Sequence, residues 1–499
     1  MARARLVVPA VLLGFACAVA SIATARQDVG DPDVFWIAAA GRETLAHGAV
    51  PRINGFSFVD GAHPWVMHEW LFGPPFAIGL RMLGAGFFLA FGLITATIIG
   101  ALVTWALLSD VRRPEIALGI SFLVAWTCDS RLGYARPTYS SLVLPLAMAV
   151  LAFRPNFGRA HAIAAIALAW IWANAHGSFP LGWVILAAAL VDAPSRTRAI
   201  ALAGAFLVSF VNPYGLALHR LVIEYAIGRE ASGVTEARRH ILEFAPIWRA
   251  SYLQIVPTIL VVASCAWGVA GVVLIVRRRY VARAALVVLL ALAGLLASRH
   301  VALAALLGPV LLAPAIDDLT KRDPSANTDS KPTRWTLGIH VPGMLVALAV
   351  LASRMFASAP NDLISPSVGG SSVVDLVRSI PDGTHVYTPL RSAGLVIWEG
   401  GARNIGVLYD SRNDCYSAEV ARWALSVGSM SDAQILEGFD RFGVQMVLVP
   451  TVDHVEHDSL DVVWKQLFGV AHAPTTSARW VERARSQNAW VLYERAAAP

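Results

Sequence analysis

The chain has 499 residues, 56% of them hydrophobic and only 15% charged, with a formal net charge of +6. Its mean hydropathy is +0.58. Soluble domains average about 25% charged residues, so the composition excludes an ordinary water-soluble enzyme, and it equally excludes a disordered chain. What remains is a polytopic α-helical membrane protein.

A bilayer core requires roughly 20 apolar residues in a helix. Residues 6–25 supply the first such run, behind Arg3 and Arg5. Ala23-Thr24-Ala25 also resembles a signal-peptide cleavage site, although the spans that follow would hold the chain in the membrane either way. Further apolar runs lie near 85–108, 115–128, 139–153, 160–175, 179–192, 199–212, 252–276, 282–298, 300–316 and 336–353. Together they predict about eleven transmembrane helices.

If the amino terminus is cytoplasmic, the cytoplasmic connections carry Arg112 and Arg113, Arg154 and Arg159, Arg196 and Arg198, Arg277 to Arg279, and Lys321 to Arg334. Every one is basic, as the positive-inside rule demands of short loops. The orientation is therefore N-in and C-out. The same distribution assigns the positive charge to membrane topology and gives no support to a nucleic-acid partner. Residues 70–83 are apolar but short of a span, and contain Pro74, Pro75 and Arg81. They read as a helix lying on the outer membrane surface, with Trp65 and Trp70 at headgroup level.

This topology assigns 1–355 to a transmembrane domain whose first outer loop covers 26–84. A Ser-, Pro- and Gly-rich linker follows over 356–370. Residues 371–499 then form a small extracytoplasmic α/β domain. Its strands are expected near 385–389, 395–398, 406–410, 445–449 and 489–493, and its helices near 371–379, 417–427, 431–442 and 458–468. No glycine-rich phosphate loop opens a helix here, so a soluble nucleotide donor gains no support. Cys17, Cys128, Cys265 and Cys415 have no zinc-like spacing, and no structural disulfide is expected.

The outer side collects the candidate site residues. Asp31-Pro32-Asp33 follows the first span, and the proline should hold the two acids in an extended turn. A carboxylate placed there can act as general base toward an acceptor hydroxyl, and two can bind a divalent cation. Asp33 alternatively reads as the N-cap of a helix starting near Val34. His68 and Glu69 precede the surface helix, where Glu69 suits its positive end and His68 could meet a phosphate or an acceptor. Asn174 and His176 close another span, with Gly177 offering an ordinary helix stop. Arg131, Arg136, Arg220 and Arg299 could pair phosphate oxygens, with His300 beside Arg299. Snorkelling to headgroups is the alternative for each arginine.

Asp31-Pro32-Asp33-Val34-Phe35-Trp36, then Ala40-Gly41-Arg42, His47-Gly48-Ala49-Val50-Pro51-Arg52 and Pro64-Trp65-Val66-Met67-His68-Glu69-Trp70-Leu71 resemble the first outer loop of bacterial GT-C-type membrane glycosyltransferases. These are relatives of the protein O-mannosyltransferases and lipid A aminoarabinose transferases. Ala135-Arg136-Pro137, Trp172 to Gly177, Asn212-Pro213-Tyr214-Gly215, Arg299-His300 and the tail segment Tyr409-Asp410-Ser411-Arg412 extend the resemblance. It implies a GT-C-like fold and transfer of a sugar from a polyprenyl-phosphate-linked donor to a lipid, glycan or protein acceptor, at the outer face of the bacterial cytoplasmic membrane. It also implies that Asp33 or Asp31 is the base, and that Arg136 and Arg299 lead the contacts to the donor phosphate. It leaves a divalent cation, magnesium or manganese, open at the two acids. The adjacent Asp-Glu pair of the protein O-mannosyltransferases is missing. Two other classes are carried forward, a transporter of lipid-linked glycans and a non-catalytic scaffold of an envelope-assembly complex.

Overall fold

The computed structural model describes residues 29–132, 140–228, 232–249, 258–320, 363–365, 368–451, 470–486 and 490–496. The apolar runs expected at 6–25 and 336–353, and the helix expected at 458–468, lie outside the described residues. By packing, the chain divides into two units. One comprises residues 1–27, 89–212 and 242–357, and the other 28–88, 213–241 and 358–499.

The first unit is helical. Two helices, Gly86–Asp110 and Thr258–Val276, are each long and apolar enough to cross a membrane, and a bent pair, Ser298–Leu311 with Ala313–Thr320, meets the same test together. Shorter apolar helices include Pro180–Asp192 and Val281–Leu296. Thr258–Val276 and Val281–Leu296 form an antiparallel hairpin that also packs on Val301–Leu311. Small residues make the close approach: a Cβ on Gly271 would lie 2.9 Å from the Ala284 carbonyl oxygen, and one on Gly268 2.9 Å from the Ala291 Cβ. Apolar helices in lipid gain their attraction from such close packing. The hairpin turn places Arg278 and Tyr280 at φ of 52° and 49°, which is uncommon for residues other than glycine. Asp318 holds this turn, accepting from Arg279 and, at 2.6 Å, from the Tyr280 hydroxyl.

Arginines of the described basic connections find partners across this unit. Arg112 contacts Asp317 at 3.5 Å and Arg283 contacts Asp192 at 3.0 Å. Arg198 donates to the carbonyls of Ala152, Ala193 and Arg154. Connections far apart in the chain therefore contact one another, while the basic connection expected over 321–334 lies outside the described residues.

The second unit holds a five-stranded sheet in the order β2-β1-β3-β5-β4. The strands are β1 (His385–Tyr387), β2 (Gly406–Val407), β3 (Met446–Pro450), β4 (Trp480–Arg485) and β5 (Trp490–Arg495). β1 pairs in parallel with β2 and β3, whereas β5 is antiparallel to both β3 and β4. β3 is buried along its whole length, which suits its unbroken apolar run. Residues 395–398, expected as a strand, instead lie inside the helix Leu390–Gly400. Strand β4 had no counterpart among the expected strands.

Helix α1 (Asp33–His47) belongs to this unit and is buried on every side from Val34 to Gly41. It ends at Gly48, left-handed at φ 65°, whose N–H returns to the Thr44 carbonyl. It packs on the helix Gly73–Leu83 and on Leu390–Gly400. Gly73–Leu83 is the helix expected at the membrane surface. It buries Phe76, Ala77 and Leu80 and exposes Ile78, Met82 and Leu83, an apolar face of the kind that lies on a bilayer.

The crossing of α1 with that helix depends on Gly41, where a Cβ would sit only 1.9 Å from the Gly73 carbonyl oxygen. Gly41→Ala should therefore force the helices apart, a backbone clash that typically costs about 1–3 kcal/mol. A lowered thermal midpoint in detergent checks this, with Gly92→Ala, whose Cβ meets nothing within 4 Å, as the clash-free control that should melt at or slightly above wild type.

Candidate active site

The two acids of the first loop come together at the start of α1. Pro32, at φ −65° and ψ −26°, is helical, so the turn is not extended. The Asp31 carboxylate accepts the Asp33 N–H at 2.9 Å, closing an Asx turn. Asp33 is thus the first helical residue and not the N-cap, and Asp31 is the residue whose side chain serves the helix start. Asp31 is buried, while Asp33 is half-buried and its charge suits the helix N-terminus.

Oδ1 of Asp33 accepts from the Trp36 indole N–H at 3.2 Å and from the Ser411 hydroxyl. The same indole N–H lies 3.1 Å from Ser411 Oγ. Ser411 comes from the tail segment that carried the family resemblance, but no role had been read for it there. Its neighbours explain its position. Arg412 and Asp410 form a fully buried ion pair, with Nη2 to Oδ2 at 2.6 Å and Nε to Oδ1 at 2.9 Å. The Tyr416 hydroxyl also donates to Asp410 at 2.7 Å. Asn54 from the first loop accepts from Arg412 Nη2 at 2.5 Å and donates to the Cys415 carbonyl at 3.0 Å. The guanidinium lies over Trp65 and Phe56, 4.6 and 5.0 Å from their centroids, and Trp65 meets Trp36 edge-on. Ser411 is therefore gripped on both sides by buried charge.

Burial also governs the adjacent groups. It pushes the Cys415 thiol well above its usual value, so that thiol stays protonated and unreactive. It pushes the Asp414 carboxyl up to about 7, and Oδ2 of Asp414 finds no hydrogen-bond partner among the described residues. A carboxyl raised in the folded state stabilises the fold fully only below its unfolded value, and that stability is lost as pH rises through the folded value. Wild-type thermal stability should accordingly fall between about pH 4 and pH 7 by an amount of the order of a few kcal/mol. Asp414→Asn should flatten that part of the profile, which melting curves from pH 4 to 8 would show.

The other expected site residues separate by unit. In the second unit, Glu69 is buried, His68 Nε2 lies 4.0 Å from it, and the His68 ring meets Tyr225 edge-on. Glu69 occupies the N-cap of the short turn Trp70–Phe72, but its side chain makes no cap bond there. Arg220 lies on the helix Leu216–Ile227 and is exposed. In the first unit, Asn174 is buried and donates to the carbonyls of Trp170 and Val211. His176 caps the same helix end and contacts the Ser178 hydroxyl at 2.8 Å. Arg299 lies over the Phe244 ring at 4.7 Å, with Glu243 4.0 Å away, and His300 ends the same single turn. Arg131 closes the helix Pro114–Leu132, but its side chain and all of Arg136 lie outside the described residues.

No protein-family model matches the sequence, and no curated protein matches it either. Solved structures do match the fold. The archaeal oligosaccharyltransferase AglB from Archaeoglobus fulgidus, in complex with an inhibitory peptide and a dolichol-phosphate, aligns with TM-score 0.56 at 10% identity over 96% of this chain and 72% of that one. The same enzyme tethered to an acceptor peptide containing the NVT sequon gives TM-score 0.56 at 11% identity, again over 96% and 72%. Its complex with zinc and sulfate gives 0.50 at 12%, over 95% and 71%. The chain shares the fold of this oligosaccharyltransferase.

A divalent cation is the cofactor this comparison raises. The acids at the start of α1 offer two carboxylates, that of Asp31 engaged by the helix start and that of Asp33 by Trp36 and Ser411. Hard divalent cations take about six oxygens or more, and no group of three His, Cys, Asp or Glu side chains converges among the described residues. The described donor set does not fit a resident ion by itself.

Proposed function

We propose that the chain is an integral-membrane glycosyltransferase of the bacterial cytoplasmic membrane. It transfers a sugar from a polyprenyl-phosphate-linked donor to the hydroxyl of a lipid, glycan or protein acceptor. In this reading it has about eleven spans, a cytoplasmic amino terminus, and an extracytoplasmic carboxyl-terminal domain on the side where transfer occurs. The observation that carries it is Asp33, fixed at a helix start by Ser411 and Trp36 within a fold shared with an oligosaccharyltransferase.

Asp33 is the general base, its carboxylate aimed by the Trp36 and Ser411 contacts and receiving the acceptor's proton. The acceptor oxygen bonds to the anomeric carbon, the bond from that carbon to the phosphate oxygen breaks, and the lipid phosphate leaves. Asp31 positions Asp33. Arg136 and Arg299, supported by Arg131 and Arg220, neutralise the departing phosphate, and His300 contacts it as a hydrogen-bond donor. His68, Glu69, Asn174 and His176 face the substrates.

Incubating membranes that contain the protein with a polyprenyl-phosphate sugar labelled in the sugar tests this reading. Label should move into a product that no longer extracts with the donor lipid. Passage of intact donor across proteoliposomes, with no label transferred, would replace the enzyme by a transporter.

A further inference from the structure

The basic end of the first unit contains a second polar site, separate from the acids of α1. A cavity of about 30 Å³ opens there, lined by Trp105, Ser109, Asp110, Phe153, Arg154 and Arg283 among others. That is room for one or two water-sized polar groups. Trp105 and Ser109 are four residues apart on the helix Gly86–Asp110 and share one face of it.

Both present a buried donor that finds no acceptor among the described residues, Trp105 Nε1 and Ser109 Oγ. This is not how the rest of the unit treats such groups. The hydroxyls of Thr95, Thr97 and Ser121 each donate to the carbonyl four residues earlier. The indoles of Trp170, Trp172 and Trp183 donate to the Val211 carbonyl, Ser178 and the Ala205 carbonyl. A buried donor without an acceptor costs about 1–3 kcal/mol, so two beside one cavity call for a ligand that accepts.

The charge of the ligand follows from the arginines. Arg154 stacks over the Trp105 ring at 4.8 Å and has no carboxylate partner among the described residues. Arg283 is neutralised by Asp192. The single carboxylate on the lining, Asp110, is exposed at the end of its helix. One unspent guanidinium and two unspent N–H and O–H donors suit a phosphate oxygen. The surrounding arginines mark this end as the one a positive-inside chain presents to cytoplasmic headgroups, and basic pockets between spans hold anionic headgroups there.

We propose that this cavity binds the phosphate of an anionic phospholipid headgroup. The proposal does not rest on the transfer reaction. The full-length protein purified in detergent would be titrated with phosphatidylglycerol, phosphatidylcholine and inorganic phosphate, and lipid binding read by native mass spectrometry. Phosphatidylglycerol should bind preferentially, and Arg154→Gln should weaken it about fivefold, with Arg154→Lys restoring much of the loss. Trp105→Phe, which keeps an aromatic face under Arg154 but removes the indole N–H together with part of the ring, should weaken it severalfold with the fold intact. Equal phosphatidylglycerol binding by wild type and both variants would overturn the site. An equal response to inorganic phosphate would overturn the lipid as its source.

Discussion

Asp33→Asn should reduce sugar transfer by about 10²- to 10⁴-fold, the usual share of a general base, while the protein still inserts and folds. The substitution keeps Oδ1, so the bonds from Trp36 and Ser411 persist and the start of α1 is undisturbed. What disappears is the capacity to take a proton. The loss should therefore fall on the turnover rate and not on donor binding, a split that steady-state kinetics with varied donor would display. Ser411→Ala should cost less, about tenfold, because it loosens the aim of the carboxylate without removing it. Full activity in Asp33→Asn would exclude Asp33 as the base.

The largest loss of stability should come from Arg412→Met. Its guanidinium is fully buried and engages Asp410, Asn54 and two aromatic faces at once. Removing it leaves the Asp410 carboxylate uncompensated in the interior, which costs about 3–5 kcal/mol. Asp410→Asn combined with Arg412→Met removes both charges and should recover part of that loss. Thermal melts of the full chain in detergent would compare the single and double variants. A single variant as stable as wild type would show that Asn54, Phe56 and Trp65 hold this region without the ion pair.

Much of this architecture was legible in the sequence. Hydropathy marked the helices, because that signal is local. The pair Asp31 and Asp33 stood out for the same reason. Ser411 and the Asp410–Arg412 pair did not, since charged residues ordinarily read as surface and a contact across the length of a chain leaves no trace in one sequence. Residues 395–398 misled for a physical reason. Leu395-Val396-Ile397-Trp398 is a short continuous apolar run, and burial on all sides erases the difference between helix and strand periodicity. The alternative reading of Asp33 as N-cap was misplaced by one residue, because Asp31 can close the turn only once Pro32 has taken a helical conformation.

The bond between Ser411 and Asp33 joins positions 378 residues apart. In a chain made from its amino terminus, Asp33 is synthesised well before the segment that aims it. With synthesis at roughly 5–20 residues per second, at least about twenty seconds separate the two. During that interval the acid is made but lacks its frame, so a chain still emerging from the ribosome cannot hold the arrangement assigned to catalysis. Activity would then begin only when the carboxyl-terminal domain has folded, and a chain truncated before residue 410 would insert in the membrane without acquiring it.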